Sequence, residues 1–187
     1  MKLYKIVIVI IILLLLMHYK KYSSYTDKYE IQQQELDYID GNELYNQQNP
    51  LVITFIEDTS LIDNITRYNL YSVMSLAKKH TMYNTNNNYL SHRNEILFIR
   101  TKEKLVFELV NPKYKKYFKK SGKDKIFQKY SLNSNNYSNV KAIDIVSREY
   151  NILFIPRHWL FRCHKEDQKI EIFTIHNIFT YLFSIIN

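Results

Sequence analysis

The sequence predicts a mainly β fold: a jelly-roll-like sandwich or barrel with a few short helices, preceded by an N-terminal hydrophobic helix. Three observations predict it. Short runs of Ile, Leu, Val and Phe recur at roughly 10–20-residue intervals, with turn-forming residues between them. Few stretches carry a helical period. The chain also begins with an unbroken apolar run at residues 6–17, IVIVIIILLLLM.

Composition narrows the classes. With 187 residues, 46% of them hydrophobic, there is material for one domain plus an appendage, and wholesale disorder is excluded. Cys163 is the single cysteine, which excludes a disulfide scaffold and zinc-ribbon sites. Only Gly41 and Gly122 are glycines, so neither a dinucleotide fingerprint nor a phosphate-binding loop can be written. Seventeen tyrosines and a heavy load of Asn, Ile and Lys fit an AT-rich genome, such as that of a virus or protist.

In chain order, residues 1–20 are read as an uncleaved signal anchor that crosses a membrane once. The apolar run is short of the roughly 20 residues a hydrocarbon core requires. It reaches a marginal span when Leu3, Tyr4 and Tyr19 are added and the flanking lysines snorkel. A cleaved signal peptide and a buried element are the competing uses; HYKKYSSYT offers only Ser23 and Ser24 as small residues for a cut. Lys2 and Lys5 on one side and Lys20 and Lys21 on the other leave orientation open. Residues 21–35 read as a polar tether or short helix, and residues 36–187 as the globular domain. Pro50 precedes the strand run LVITFI. Asn69 is expected to cap a helix, NLYSVMSLAKKH, with Leu70, Val73, Met74 and Ala77 on one face. TMYNTNNNY reads as a loop. EILFIRTKEKLVFELV holds two strands around a polar turn at residues 101–103. PKYKKYFKK looks helical, residues 131–139 form a loop, and KAIDIVS, NILFIPR and KIEIFTIH are strands. The closing IFTYLFSII is expected to be a short buried helix.

The most specific stretch is Tyr150-Asn151-Ile152-Leu153-Phe154-Ile155-Pro156-Arg157-His158-Trp159. It resembles the Gly-Asp-x-Leu-x-Ile-Pro-x-x-Trp strand of the cupin-like, JmjC-type double-stranded β-helix family, which includes Fe(II)- and 2-oxoglutarate-dependent hydroxylases and demethylases. Residues 38–44 with Asn49-Pro50-Leu51-Val52-Ile53 are similar to the helix and Pro-Val-Val-Ile strand that open that domain. Residues 95–100, Lys104 and Leu109-Val110-Asn111-Pro112 resemble its middle strands, and Tyr114 and Tyr117-Phe118 its following helix. Tyr150 and Lys102 or Glu103 stand where the family carries turn glycines.

The resemblance implies an iron site made of a His-x-Asp pair and a distal histidine, with positions left for oxoglutarate and oxygen. Anchored on Lys104 and Pro156, those three places fall on Tyr89, Ser91 and Phe161. Phenylalanine cannot coordinate a metal, and without the carboxylate no charge balances the cation. The positions are therefore degenerate, and neither a catalytic residue nor a cofactor is expected. Substitute ligands in a shifted register would be His92, with Asn94 in the carboxylate place, and His158 or His164; Lys104 matches the family's oxoglutarate-binding lysine. On their own terms the three histidines read as surface or loop residues, Lys104 as a turn lysine and Trp159 as core. Cys163 reads as a buried small hydrophobe, since its neighbour His164 points to the opposite face of a strand.

Residues 113–129 form a basic stretch: Lys113, Lys115, Lys116, Lys119, Lys120, Lys123, Lys125 and Lys129 stand against Asp124, interleaved with Tyr114, Tyr117, Phe118 and Phe127. A solvated face of a surface helix is the plain reading. Anionic lipid or an acidic protein partner is the functional one, and nucleic acid ranks last. The expectation is thus a membrane-anchored, catalytically inactive cupin-like module that binds or scaffolds. An active Fe(II)/2-oxoglutarate hydroxylase and a basic membrane-surface structural protein are its alternatives.

Overall fold

The computed structural model describes residues 3–35, 39, 41–54, 75–83, 88–94, 96–124, 126–149, 151–165 and 169–177. Helix α1 (Leu3–Ser23) continues past the apolar run through Tyr19 and the two lysines. At 1.5 Å per residue it is about 31 Å long, and its Tyr4–Ser23 portion is long and apolar enough to cross a membrane. The side chains of its apolar run stand exposed, so no described residue of the domain buries them.

Strands β1 (Gln32–Glu35), β2 (Leu51–Thr54), β3 (Ser75–Tyr83), β4 (Tyr89–His92), β5 (Ile96–Arg100) and β6 (Leu105–Val110) follow. Then come β7 (Phe118–Lys123), β8 (Phe127–Leu132), β9 (Ala142–Ser147), β10 (Asn151–Ile155), β11 (Leu160–Cys163) and β12 (Lys169–Asn177). A one-turn helix, α2 (Gly41–Asn46), and two 3-10 segments, Pro112–Tyr117 and Ser134–Asn139, complete the described elements.

Two six-stranded sheets result, in the orders β1-β2-β10-β5-β12-β3 and β7-β8-β4-β11-β6-β9. Their logic is one long antiparallel ribbon: β3 pairs with β12, β4 with β11, β5 with β10, and β6 with β9. Successive rungs alternate between the sheets, which is the winding of a jelly roll. The β7–β8 hairpin extends the second sheet beyond β4. The first sheet is extended beyond β10 by β2 and by β1, which pairs parallel to β2.

Between the sheets lie Leu97, Ile99, Leu153 and Ile155 from one side and Phe107, Leu109, Phe127 and Phe161 from the other, with Trp159 fully buried. Each such side chain contributes about 1.5–3 kcal/mol on burial. The first sheet is also covered on its outer face, where Leu51, Ile53, Phe98 and Phe154 pack with Leu44 of α2. Burial on both faces explains why β5 and β10 read as continuous apolar runs rather than alternating ones.

Several expectations change. The helix expected at residues 69–80 is strand from Ser75 on, because Ser75–Tyr83 pairs over its whole length with Lys169–Asn177; tertiary pairing outweighs local propensity there. The loop read at residues 81–89 begins with the end of β3 and ends in the first residue of β4. PKYKKYFKK is not a helix. The Asn111 side chain accepts from Lys113 N and starts a 3-10 turn, and Phe118–Lys123 then pairs with Phe127–Leu132. The loop expected at residues 131–139 gives Ser131 and Leu132 to β8 and is 3-10 from Ser134. The polar tether at residues 21–35 lies on the domain: Tyr22 is buried, β1 joins a sheet, and Tyr29 stacks 5.9 Å from Trp159. Residues 69–74, the closing IFTYLFSII and Lys125 lie outside the described residues.

Candidate functional site

Strand direction sorts the loops into two ends. Ile155, the last residue of β10, pairs with Leu97 near the start of β5; Leu160, the first of β11, pairs with Val110, the last of β6; and His92, the last of β4, pairs with Phe127, the first of β8. The β10–β11 turn, Asn111 with its 3-10 segment, Arg93-Asn94 and Asp124 therefore share one end of the sandwich. The β5–β6 turn and the start of β12 are at the other.

The first end is where α1 arrives. Its last carbonyls, the negative pole of the helix dipole, are capped by cationic or donor groups of the domain. Arg157 Nη2 donates to Lys21 O (3.3 Å), and His158 Nε2 donates to Tyr22 O (2.8 Å). The His158 ring also meets Tyr22 edge-on at 5.7 Å, and the Arg157 guanidinium lies 5.1 Å from the centre of the same Tyr22 ring. To make this cap His158 takes φ 70°, a left-handed conformation that costs a residue with a Cβ about 1 kcal/mol or more. After the helix the chain crosses the same end under further restraint. Asn111 Nδ2 donates to Thr26 O and Lys28 O, Lys113 Nζ donates to Asp27 O, and Tyr29 OH donates to Lys141 O.

His92 and His158 are not open surface groups, whereas His164 is exposed. His92 is completely buried, its Nε2 donating to Ile155 O (2.7 Å) and Pro156 O (3.1 Å), and burial pushes its pKa down to about 3. His92 Nδ1 and the buried Asn94 Nδ2 have no hydrogen-bond partner among the described residues. Burial takes His158 down to about 4, with Lys115, Arg157 and Arg93 pushing the same way against its bond to Tyr22 O. Both rings are thus neutral near pH 7. His164 is elsewhere, on the outer face of the second sheet.

That outer face carries a polar row. Glu108 pairs with Asp144 on β9 and with Arg162 on β11; Tyr89 of β4 pairs with Tyr130, and Tyr130 with Lys120. Glu108 accepts from Arg162 Nε (2.6 Å) and Tyr89 OH (2.5 Å), and Arg162 lies 4.6 Å from the centre of the Tyr89 ring. Burial, then the bond to Glu108, pushes the Tyr89 phenol upward. His164 Nε2 stands 3.3 Å from Asp144 Oδ1 and 3.7 Å from Glu108 Oε2.

The positions inferred from the family resemblance do not converge. Phe161 lies between the sheets opposite Leu90. Tyr89 and Ser91, the neighbours of Leu90, point to the outer face by strand alternation, where Tyr89 packs on Phe118. Lys104 is exposed beside the β5–β6 turn, at the end opposite His92 and His158. Iron does not fit the residues present: Asn94 brings no charge, and the Nε2 atoms of His92 and His158 are held by backbone carbonyls. Among the described residues, Glu108, Asp144 and His164 are the group of potential metal-binding side chains, and there Arg162 already neutralises Glu108.

The basic stretch divides. Lys113, Lys115 and Lys116 are on the 3-10 segment at the α1 end, with ammonium groups 5.1, 4.8 and 5.1 Å from the ring centres of Tyr114, Tyr130 and Tyr117. Lys119, Lys120 and Lys123 project into solvent from β7. Burial, with Arg93 and Lys120 beside it, pushes Lys115 down to about 8. Lys20, Lys21, Arg93 and Arg157 join this end although the basic stretch of sequence excludes them. The docking of α1 brings the two lysines there and the pairing of distant strands the two arginines, and the sequence carries no local signal for either. No protein-family model and no curated protein matches the chain.

Proposed function

We propose that this protein is a single-pass membrane-anchored jelly-roll module that does not catalyse oxygen chemistry and works as a binding or scaffolding unit, with its cationic end resting on anionic lipid headgroups. One observation carries the reading. The apolar helix ends against the same face of the sandwich that gathers Lys20, Lys21, Arg93, Lys113, Lys115, Lys116 and Arg157, and the domain is bonded to the last helical carbonyls. A helix crossing the bilayer brings that face to the lipid surface. Each cation near an anionic leaflet then contributes about 1 kcal/mol, within a Debye length of about 8 Å at physiological salt. Among the described residues, Asp27, Glu30 and Asp124 are outnumbered by these cations, and Asp124 is turned to its own loop, accepting from Ile126 N and Phe127 N.

The test uses the full chain. Resistance to alkaline extraction from membranes reports the anchor. In nanodiscs, lysine acylation mapped by mass spectrometry reports the docked face. Lys113, Lys115 and Lys116 are expected to be protected severalfold when anionic lipid replaces part of a phosphatidylcholine bilayer, and to lose that protection at about 1 M salt, where the Debye length falls to about 3 Å. Extraction of the chain by alkali, or labelling that ignores lipid charge, refutes the reading.

A further inference from the structure

Beside the last turn of α1, a cleft of about 140 Å³ is lined by Lys21, Ser24, Gln47, Gln48, Pro156 and Arg157, together with Tyr25 and Asn46. We propose that it is a headgroup site for one anionic phospholipid, taking the phosphate between Lys21 and Arg157. The inference rests on the membrane-anchored reading for the source of the ligand and deepens it from a charged face to a defined site. Among the described residues its lining includes two cations and no carboxylate. The remaining polar groups are amides and hydroxyls, which add no negative charge; the Ser24 proton is spent on Lys21 O and Gln47 Nε2 donates to Gln32 Oε1, so the second hydrogen of Gln48 Nε2 is an amide donor left beside the two cations. A volume equal to four or five waters at about 30 Å³ each suits the five heavy atoms of a phosphate. Arg157 is tied to Lys21 O through Nη2, and the planar fork of a guanidinium carries five donors, the geometry that matches phosphate oxygens in pairs. Gln48 Nε2 donates to Ser24 Oγ (3.3 Å), and Ser24 Oγ donates to Lys21 O (2.9 Å), so the walls are bonded to one another before a ligand arrives. Because the cleft opens at the base of the anchor, a lipid can keep its tails in the bilayer while its phosphate enters. That geometry distinguishes this cleft from the exposed lysines of β7, which face solvent without a concavity.

The fold supplies its own reporter. Trp159, the one tryptophan, donates from Nε1 to the backbone carbonyl of Gln48 (2.9 Å), a residue of the cleft wall. Tryptophan fluorescence of the full chain in a neutral detergent, titrated with dihexanoyl phosphatidate, is expected to saturate at one lipid per chain, with dihexanoyl phosphatidylcholine at least tenfold weaker. Arg157→Gln combined with Lys21→Gln should weaken phosphatidate binding at least tenfold, and Arg157→Lys, which keeps the charge but not the planar fork, should weaken it by less than the double substitution does. Native mass spectrometry checks the stoichiometry, and the thermal melt of each variant checks folding. Inorganic phosphate binding as well as phosphatidate would overturn the lipid assignment in favour of a free-phosphate site. A response that does not saturate, or that the double substitution leaves intact in a folded protein, would overturn the site itself. These outcomes do not depend on the anchor, which alkaline extraction tests separately.

Discussion

His92 shows what one buried titratable group does to the molecule. Burial disfavours the imidazolium and outweighs the Nε2 bonds to Ile155 O and Pro156 O, which favour it, so the folded protein holds the ring neutral down to about pH 3. In the unfolded chain the same ring takes a proton near pH 6.5. Below that pH the unfolded state binds more protons, and stability must fall with pH until the folded state also titrates. His158, lowered to about 4, acts in the same direction over a narrower window. Each group contributes a slope of about 1.4 kcal/mol per pH unit inside its window. Melting of the full chain in detergent is therefore expected to drop steeply between about pH 6 and 4. In His92→Gln, which keeps a donor but does not titrate, that drop should be visibly shallower, whatever the variant's starting stability. Equal slopes in both proteins would mean that the ring is not buried neutral.

At the scale of elements, the segment between α1 and β1 is held by Asn111. This one side chain donates to Thr26 O and Lys28 O and accepts from Lys113 N, so it ties the crossing chain to the start of the 3-10 turn. Asn111→Ala removes all three bonds and leaves two carbonyls to find other partners, a loss of about 2–4 kcal/mol at roughly 1 kcal/mol per net bond. Limited proteolysis should then cut between residues 24 and 31, sites that the parent protein protects; an unchanged cleavage pattern would show that the segment is held by other contacts. The same element marks where the sequence was legible and where it was not. Strands β5, β6, β9, β10 and β12 were readable because their apolar runs are bounded by turn residues. Ser75–Tyr83 was not, since SLAKKHTMY carries an acceptable helical pattern and becomes a strand only through its distant partner, residues 169–177. The tether was misjudged for a related reason. Its polarity is real, but its tyrosines and backbone carbonyls are bound by residues about 80 or more positions away.

At the scale of the whole molecule, the jelly roll was legible from the spacing of short apolar strands, whereas the place where the cations gather was not. A one-residue difference in where β4 starts decides whether Tyr89 and Ser91 or Leu90 and His92 face the interior, and an alignment anchored on Lys104 cannot fix that register. The three positions taken from the resemblance consequently scatter over two faces of one sheet, and Lys104 sits at the opposite end. A 2-oxoglutarate oxygenase has to gather its ligands and its oxoglutarate-binding cation around a single cavity. Here the cations gather instead where α1 meets the domain, and His92 and His158 serve as neutral hydrogen-bond donors to backbone. Anaerobic addition of Fe(II) with 2-oxoglutarate to the full chain is accordingly expected to leave the melting midpoint unmoved. A genuine site at a hundredfold excess over its dissociation constant would add about 2.7 kcal/mol of stability, an increment easily seen in a cooperative melt. A shift that required both ligands, and that disappeared in His92→Ala, would return the chain to the oxygenases. It would also demand a rearrangement in which His92 and His158 present their Nδ1 atoms to the metal, since their Nε2 atoms already hold the carbonyls of Ile155, Pro156 and Tyr22.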